Sequence, residues 1–283
     1  VAWGDVDGDG DLDLAVGNYG GNNEIYLNNG TALATTPAWT SSNSLNTYSV
    51  AWGDVDGDGD LDLAVGNGAN NEVYLNDGSA LASTPAWTSS DSIRTESVAW
   101  GDVDGDGDLD LAVGNYGAYN EIYLNNGRMP CTIEPTSTVT ETPGWASSNS
   151  LYTTSVAWGD VDGDGDLDLA VGNNGNNEIY LNSGTVLSTT PAWTSSNSLN
   201  TISVAWGDMD GDGNLDLAVG SSPNNFGKNE VYLNSGTALS TTPTWTSSNS
   251  LVTQSVAWGD VDGDGDLDLA VGNYNQNNEI YLN

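Results

Sequence analysis

The sequence predicts an all-β protein built from repeated units of four short antiparallel strands. Three observations carry that expectation. An acidic motif returns six times, with its first aspartate at Asp5, Asp54, Asp102, Asp160, Asp208 and Asp260. The intervals between these are 49, 48, 58, 48 and 52 residues, a period that suits one blade of a β-propeller. Between the motifs lie short runs of alternating apolar residues bounded by Gly, Asn and Pro, the pattern of strands and turns. The expected architecture is a single propeller domain over 1–283, with units 1–49, 50–97, 98–155, 156–203, 204–255 and 256–283.

The second unit shows how each element is justified. Strand A runs from Ser49 to Asp54, strand B from Asp62 to Asn67 and strand C from Glu72 to Asn76, while strand D surrounds Pro85, Ala86 and Trp87. Val50 and Trp52 share one face, as do Leu61, Leu63 and Val65, and Ala51, Ala64 and Gly66 point the other way. One side is bulky and the other small, the complementarity that sheets covered on both faces require. The chain stops at Asn283 directly after the last strand C, so six blades are expected with one a strand short. A free edge of that kind invites another segment or a second molecule to pair with it.

Six of the eleven Trp lie in strand A (Trp3, Trp52, Trp100, Trp158, Trp206, Trp258) and five in strand D (Trp39, Trp87, Trp145, Trp193, Trp245). Packing is the expected role for both sets, with stacking on sugar rings the alternative for strand D. Glu24, Glu72, Glu121, Glu178, Glu230 and Glu279 open the C strands and read as exposed strand-end carboxylates. An extra stretch around Cys131 and a lengthened turn from Ser221 to Lys228 read as exposed insertions.

The motif itself dictates a cation. Trp52 to Asp62 packs five carboxylates into nine residues between two apolar strands. Two like charges about 4 Å apart repel by roughly 4 kcal/mol at an effective dielectric near 20. A divalent ion reverses that term. Asp54, Asp56 and Asp58 place oxygens at positions 1, 3 and 5, Asp60 offers its carbonyl at position 7, Asp62 follows at position 9, and Gly59 permits the turn. The start matches an EF-hand loop, but position 12 is Val65 and not the required Glu, so Asp62 closes the shell.

The same reading assigns Asp5, Asp7, Asp9, Asp11 and Asp13 in the first loop and Asp102, Asp104, Asp106, Asp108 and Asp110 in the third. It assigns Asp160, Asp162, Asp164, Asp166 and Asp168 in the fourth and Asp208, Asp210, Asp212, Asn214 and Asp216 in the fifth. Asp260, Asp262, Asp264, Asp266 and Asp268 complete the set. Asn214 stands at a position that gives only its backbone carbonyl, so binding there is expected to survive. About six Ca²⁺, one per repeat, are therefore the expected cofactor.

Charge bounds the partners. The formal net charge is −37, and 29 of the 40 acidic residues lie in the six loops. Six divalent ions would still leave about −25, which argues against nucleic acid and anionic membranes. One cysteine permits no internal disulfide. Loops of this kind in extracellular modules bind calcium at about 10⁻⁴ to 10⁻³ M, which points to an extracellular or cell-surface location. No signal peptide or membrane span is visible, and the chain opens at Val1 in mid-repeat, as a processed product or a fragment would.

The run S-V-A-W-G-D-V-D-G-D-G-D-L-D-L-A-V-G-N from Ser49 to Asn67 resembles the FG-GAP repeat of integrin alpha subunits and the related VCBS-type repeats. The resemblance covers all six units. It implies a calcium-bearing β-propeller, often seven-bladed in intact members, that takes its ligands on the rim opposite the calcium loops.

That opposite rim is also where the copies differ. The B to C turns and the D to A stretches vary, and they carry Tyr19, Tyr48, Tyr116, Tyr119, Tyr152 and Tyr274, side chains suited to sugar rings and hydroxyls. Divergence of exposed turns without function is the competing account. With no His and only three Lys or Arg, neither a Ser/His nor a Cys/His arrangement can be assembled, so no enzyme is expected. The expected function is a binding or adhesion module for a glycan or a cell-surface protein. The alternatives are a building block of a surface fibre or sheath that self-assembles through the open blade edge, and an accessory domain of a polysaccharide-active enzyme.

Overall fold

Alternation of β-branched and small residues, broken every few positions by Gly or Asn, favours strands as the regular structure of the described residues. The computed structural model describes residues 1–127, 139–184, 186–222, 227–236 and 238–283, and among these no helix occurs. The insertion bearing Cys131 and part of the Ser221 to Lys228 turn lie outside the described residues. The chain divides into two compact units, Val1–Ala146 and Ser147–Asn283.

In the first unit, β1 (Ala2–Gly4), β2 (Asp13–Val16), β3 (Glu24–Tyr26) and β4 (Trp39–Thr40) form one antiparallel sheet in chain order. β5 (Thr47–Gly53), β6 (Asp62–Asn67), β7 (Glu72–Tyr74) and β8 (Trp87–Thr88) form a second. β9 (Thr95–Gly101) then pairs over Asp110 to Asn115 with β10 (Asp110–Tyr123), which runs on through the expected B to C turn.

Register explains why the faces sort as they do. Val50 pairs with Val65, Ala51 with Ala64, Trp52 with Leu63 and Gly53 with Asp62, and directly opposed residues share a face. The bulky face of one sheet meets the small face of the previous one. A Cβ on Gly4 would lie 2.7 Å from Trp52 Cδ1, so only glycine lets the indole seat there. Val50, Leu63, Val65 and Tyr74 bury with Ala15 and Ile25 in one core cluster, and Ala64, Val73 and Trp87 with Leu111 and Val113 in the next.

The second unit repeats the scheme. β11 (Trp145–Gly159), whose greater part lies here, pairs with β12 (Asp168–Gly175), followed by β13 (Glu178–Tyr180) and β14 (Trp193–Thr194). β15 (Leu199–Gly207), β16 (Asp216–Ser222), β17 (Glu230–Tyr232) and β18 (Trp245–Thr246) make the next four. β19 (Thr253–Gly259), β20 (Asp268–Asn273) and β21 (Glu279–Tyr281) form a sheet of three strands, as the strand count expected.

Both Trp sets pack. Trp100 Nε1 donates to the Ala51 carbonyl at 3.3 Å, Trp206 to Ala157 at 3.3 Å and Trp258 to Ala205 at 3.2 Å. Trp39, Trp87, Trp193 and Trp245 each meet a strand C tyrosine edge to face at 4.8–5.3 Å.

Candidate metal loops and a tyrosine row

Each acidic loop joins a strand ending in Gly-Asp to one beginning in Asp-Leu. In the second repeat, Asp58 and Gly59 donate their backbone N–H groups to Asp54 at 3.1 and 3.0 Å, and Asp60 donates to Asp58 at 3.0 Å. The chain therefore wraps around the first carboxylate. Gly59 takes φ of 100°, a conformation open to glycine and costly for other residues.

Ligand atoms of positions 1, 3 and 9 converge. Oxygens of Asp5, Asp7 and Asp13 lie within 4.8 Å of one another, as do those of Asp102, Asp104 and Asp110, of Asp160, Asp162 and Asp168, and of Asp208, Asp210 and Asp216. In the second loop the converging set is Asp54, Asp56 and Asp58. Calcium–oxygen bonds of about 2.3–2.6 Å put opposite ligands roughly 4.6–5.2 Å apart, so these donor sets fit a calcium shell.

The position 9 aspartates are the buried members. Asp62 has no solvent exposure, and its Oδ2 and Oδ1 accept the Val55 and Asn76 N–H groups at 2.8 Å each. Burial pushes Asp62 up to about 7 and Asp110 and Asp168 to about 6, against the relief those N–H bonds give. Neighbouring loop carboxylates add to the rise. A cation beside them would remove the strain that raises them.

Position 7 leans outward. A Cβ on Gly78 would lie 2.6 Å from Asp60 Oδ2, so this carboxylate covers the C to D turn. Asn214, in the same place, lies over Gly236 and donates to Asp212 Oδ1 at 2.8 Å.

Sequence reasoning missed the Asn after strand C. Asn76 binds Asp62 through its N–H and, through Nδ2, the Val6 carbonyl of the preceding loop at 3.0 Å. Asn125 does the same to Val55, and Asn234 to Val161, both at 2.7 Å. The signal was present as Tyr-Leu-Asn, repeated six times from Tyr26 to Asn283.

The strand C glutamates correct an expectation. Glu72, Glu178 and Glu230 are buried, because each is enclosed by hydrogen-bond donors. Glu72 accepts from Tyr74 Oη at 2.9 Å and Asn43 Nδ2 at 2.6 Å. Asn149 and Tyr180 serve Glu178, and Asn197 and Tyr232 serve Glu230. In the third repeat Asp91 replaces the Asn, and Tyr123 Oη donates to both Asp91 at 2.9 Å and Glu121 at 3.3 Å. Burial first, and Asp91 second, raise Glu121 to about 7.

At the other end of the strands, part of the tyrosine set meets. Tyr19 and Tyr48 contact edge to face at 5.8 Å, and the Arg94 guanidinium sits 4.5 Å from the ring centres of both Tyr48 and Tyr116. Arg94 also pairs with Glu96 at 2.5 Å. Tyr19 is 74% exposed and Tyr116 42%. Tyr119 is exposed as well, and Tyr152 and Tyr274 are exposed in the second unit. Arg94 as the centre of the row was not foreseen.

The FG-GAP-like repeat pattern matches residues 5–65, 54–113, 102–171, 160–219 and 215–271. The chain belongs to the FG-GAP-like repeat family. No curated protein matches this FG-GAP-like chain. Among solved structures, BBS1N in complex with ARL6DN, soaked with lead, is 16% identical with a TM-score of 0.60, over 99% of this chain and 77% of that one. An Agrocybe aegerita lectin that recognises non-reducing terminal N-acetylglucosamine is 16% identical with a TM-score of 0.54, over 95% and 73%. At that identity the likeness shows a β-propeller-type fold.

Proposed function

We propose that this FG-GAP-like chain is a calcium-stabilised extracellular binding module, a six-bladed propeller that takes a glycan on its tyrosine rim and catalyses nothing. The observation that carries the binding role is the row of Tyr19, Tyr48, Arg94 and Tyr116, exposed apart from the half-buried Tyr48 and held on a scaffold of paired strands. Aromatic faces and a guanidinium edge suit the C–H faces and hydroxyls of sugars. The lectin's N-acetylglucosamine recognition and the BBS1N complex with ARL6DN support a glycan first and a protein second. The acidic loops supply the calcium sites, Asp54, Asp56, Asp58 and Asp62 with the Asp60 carbonyl in the second repeat. The test is glycan-array binding of the calcium-loaded chain against Tyr48→Ala and Arg94→Ala. Loss of signal in both supports the reading, and binding equal to the parent in both contradicts it.

A further inference from the structure

Four times the stretch after strand D hands an amide to the glutamate of the next strand C. Asn43 donates to Glu72 at 2.6 Å, Asn149 to Glu178 at 2.8 Å, Asn197 to Glu230 at 2.7 Å and Asn249 to Glu279 at 2.6 Å. At the remaining place Asp91 faces Glu121 instead. Two carboxyls there share one donor, the Tyr123 hydroxyl, 2.9 Å from Asp91 and 3.3 Å from Glu121 Oε2. Burial first, then the charges of Glu121 and Asp91, push that hydroxyl far above the ordinary tyrosine range, so it remains a donor with a single hydrogen to give. Two carboxyls sharing one site keep their geometry only while one of them holds a proton.

Both members of the pair lead to the tyrosine row. Asp91 opens a stretch without strand structure that ends at Arg94. There the Arg94 carbonyl accepts the Tyr116 N–H at 2.8 Å, and Thr95 Oγ1 donates to Asn115 Oδ1 at 3.0 Å. Glu121 Oε2 accepts Asn115 Nδ2 at 3.2 Å, and the same amide donates to the Tyr119 carbonyl at 2.8 Å, which fixes the turn bearing Tyr116 and Tyr119. The pair therefore joins the two segments that bring the Arg94 guanidinium onto the Tyr116 ring. The surrounding titratable groups are Tyr123 at this end of β10, Arg94 and Glu96 on the Asp91 side, and the exposed Glu141, whose carbonyl accepts the Ser90 N–H at 3.2 Å. Arg94 pairs with Glu96, so among the described residues neither Asp91 nor Glu121 has a cationic partner. A second negative charge there is uncompensated.

We propose that the Asp91–Glu121 pair is a proton switch on the tyrosine row: with one shared proton it clasps the Arg94 stretch to β10, and with none the carboxylates part and Arg94 leaves Tyr116. The proposal rests on the reading of the row as the binding surface and adds its regulation. Burial, and Asp91 beside it, push Glu121 up to about 7 from an ordinary 4.5. The proton is thus held in mildly acid surroundings and lost as pH rises through neutrality. Binding at the row is accordingly stronger on the acid side.

Arginine Nε–Hε NMR of the whole calcium-loaded chain reads the switch without any ligand. Arg94 and Arg128 are the two arginines of the sequence, and Arg94→Lys assigns the signal. Ring currents of Tyr48 and Tyr116 displace the Arg94 resonance. The expected displacement is full at pH 5.5, lost by pH 8.5 with a midpoint of about 7, and constant with pH in Asp91→Asn and Glu121→Gln, which each supply an amide donor in place of the proton. Asp91→Asn installs the residue that the other four places carry, and an unchanged melting temperature at pH 5.5 shows that the fold is kept. A parent resonance that does not move would overturn the switch. So would one that moves with the same midpoint in both variants, which would assign the titration to Glu96, held up by burial beside Arg94. For the surface, the expected glycan-array signal is about tenfold lower at pH 8.5 than at pH 5.5 in the parent and equal at the two in Asp91→Asn. A parent signal equal at both pH values would overturn the regulation. A blank array at both, with the NMR midpoint intact, would overturn the glycan reading and leave the switch standing.

Discussion

Asp62 is a carboxylate with no solvent exposure, two N–H partners and a pKa pushed to about 7, so the calcium-free protein holds a proton there that the unfolded chain releases near 3.8. The folded state then binds more protons between about pH 4 and 7, and its stability falls as pH rises through that window. Asp110 and Asp168, near 6, add to the same slope. With calcium bound the sign inverts, because acid displaces the ion from its ligands. Denaturation midpoints from pH 4.5 to 7.5 should therefore fall with pH in EDTA and rise with pH in calcium; parallel curves would contradict this. Asp91→Asn is a metal-independent counterpart. It restores the donor that Asn43, Asn149 and Asn197 give their glutamates, so Glu121 should drop from about 7 and the chain should gain stability at pH 7.5 but not at pH 4.5. Urea titration at the two pH values reads this directly. Asp62→Ala leaves the Val55 and Asn76 N–H groups without acceptors, at about 1–3 kcal/mol each.

At the scale of the element, the hairpin and its loop are one device. Gly59 at φ 100° should resist replacement, and Gly59→Ala should cost about 1–3 kcal/mol and weaken calcium binding, measured by chemical denaturation and calorimetric titration. An equal midpoint and affinity would show that the loop tolerates a Cβ. The A and B strands, the alternation of their faces and the acidic loops were legible in the sequence, since Asp spacing and apolar alternation are local signals, whereas the register was read from the structure. The D strands, only two residues long at Trp39–Thr40 and Trp87–Thr88, were legible through their Trp alone. What was not legible depends on partners far along the chain. Asn76 reaches Val6 seventy residues away, Asn43 reaches Glu72 across twenty-nine, and Arg94 stacks on tyrosines from two different stretches. No local pattern encodes such meetings, so the glutamates were read as exposed and Arg94 was read as one more variable rim residue, without its tyrosine partners.

For the whole molecule, the acidic loops set the balance. Sites of about 10⁻⁴ to 10⁻³ M would each contribute about 0.7–2 kcal/mol at a few millimolar calcium, and half a dozen together rival the roughly 5–15 kcal/mol that holds a domain folded. Withdrawing the ion also restores the repulsion among the carboxylates that make up most of the −37 charge. The most direct measurement is calcium stoichiometry by native mass spectrometry, paired with melting in calcium and in EDTA. About six ions per chain and a melting temperature at least 15 °C lower after chelation are the predicted results. A well-folded chain that binds no calcium at 2 mM and melts at the same temperature in EDTA would contradict the account.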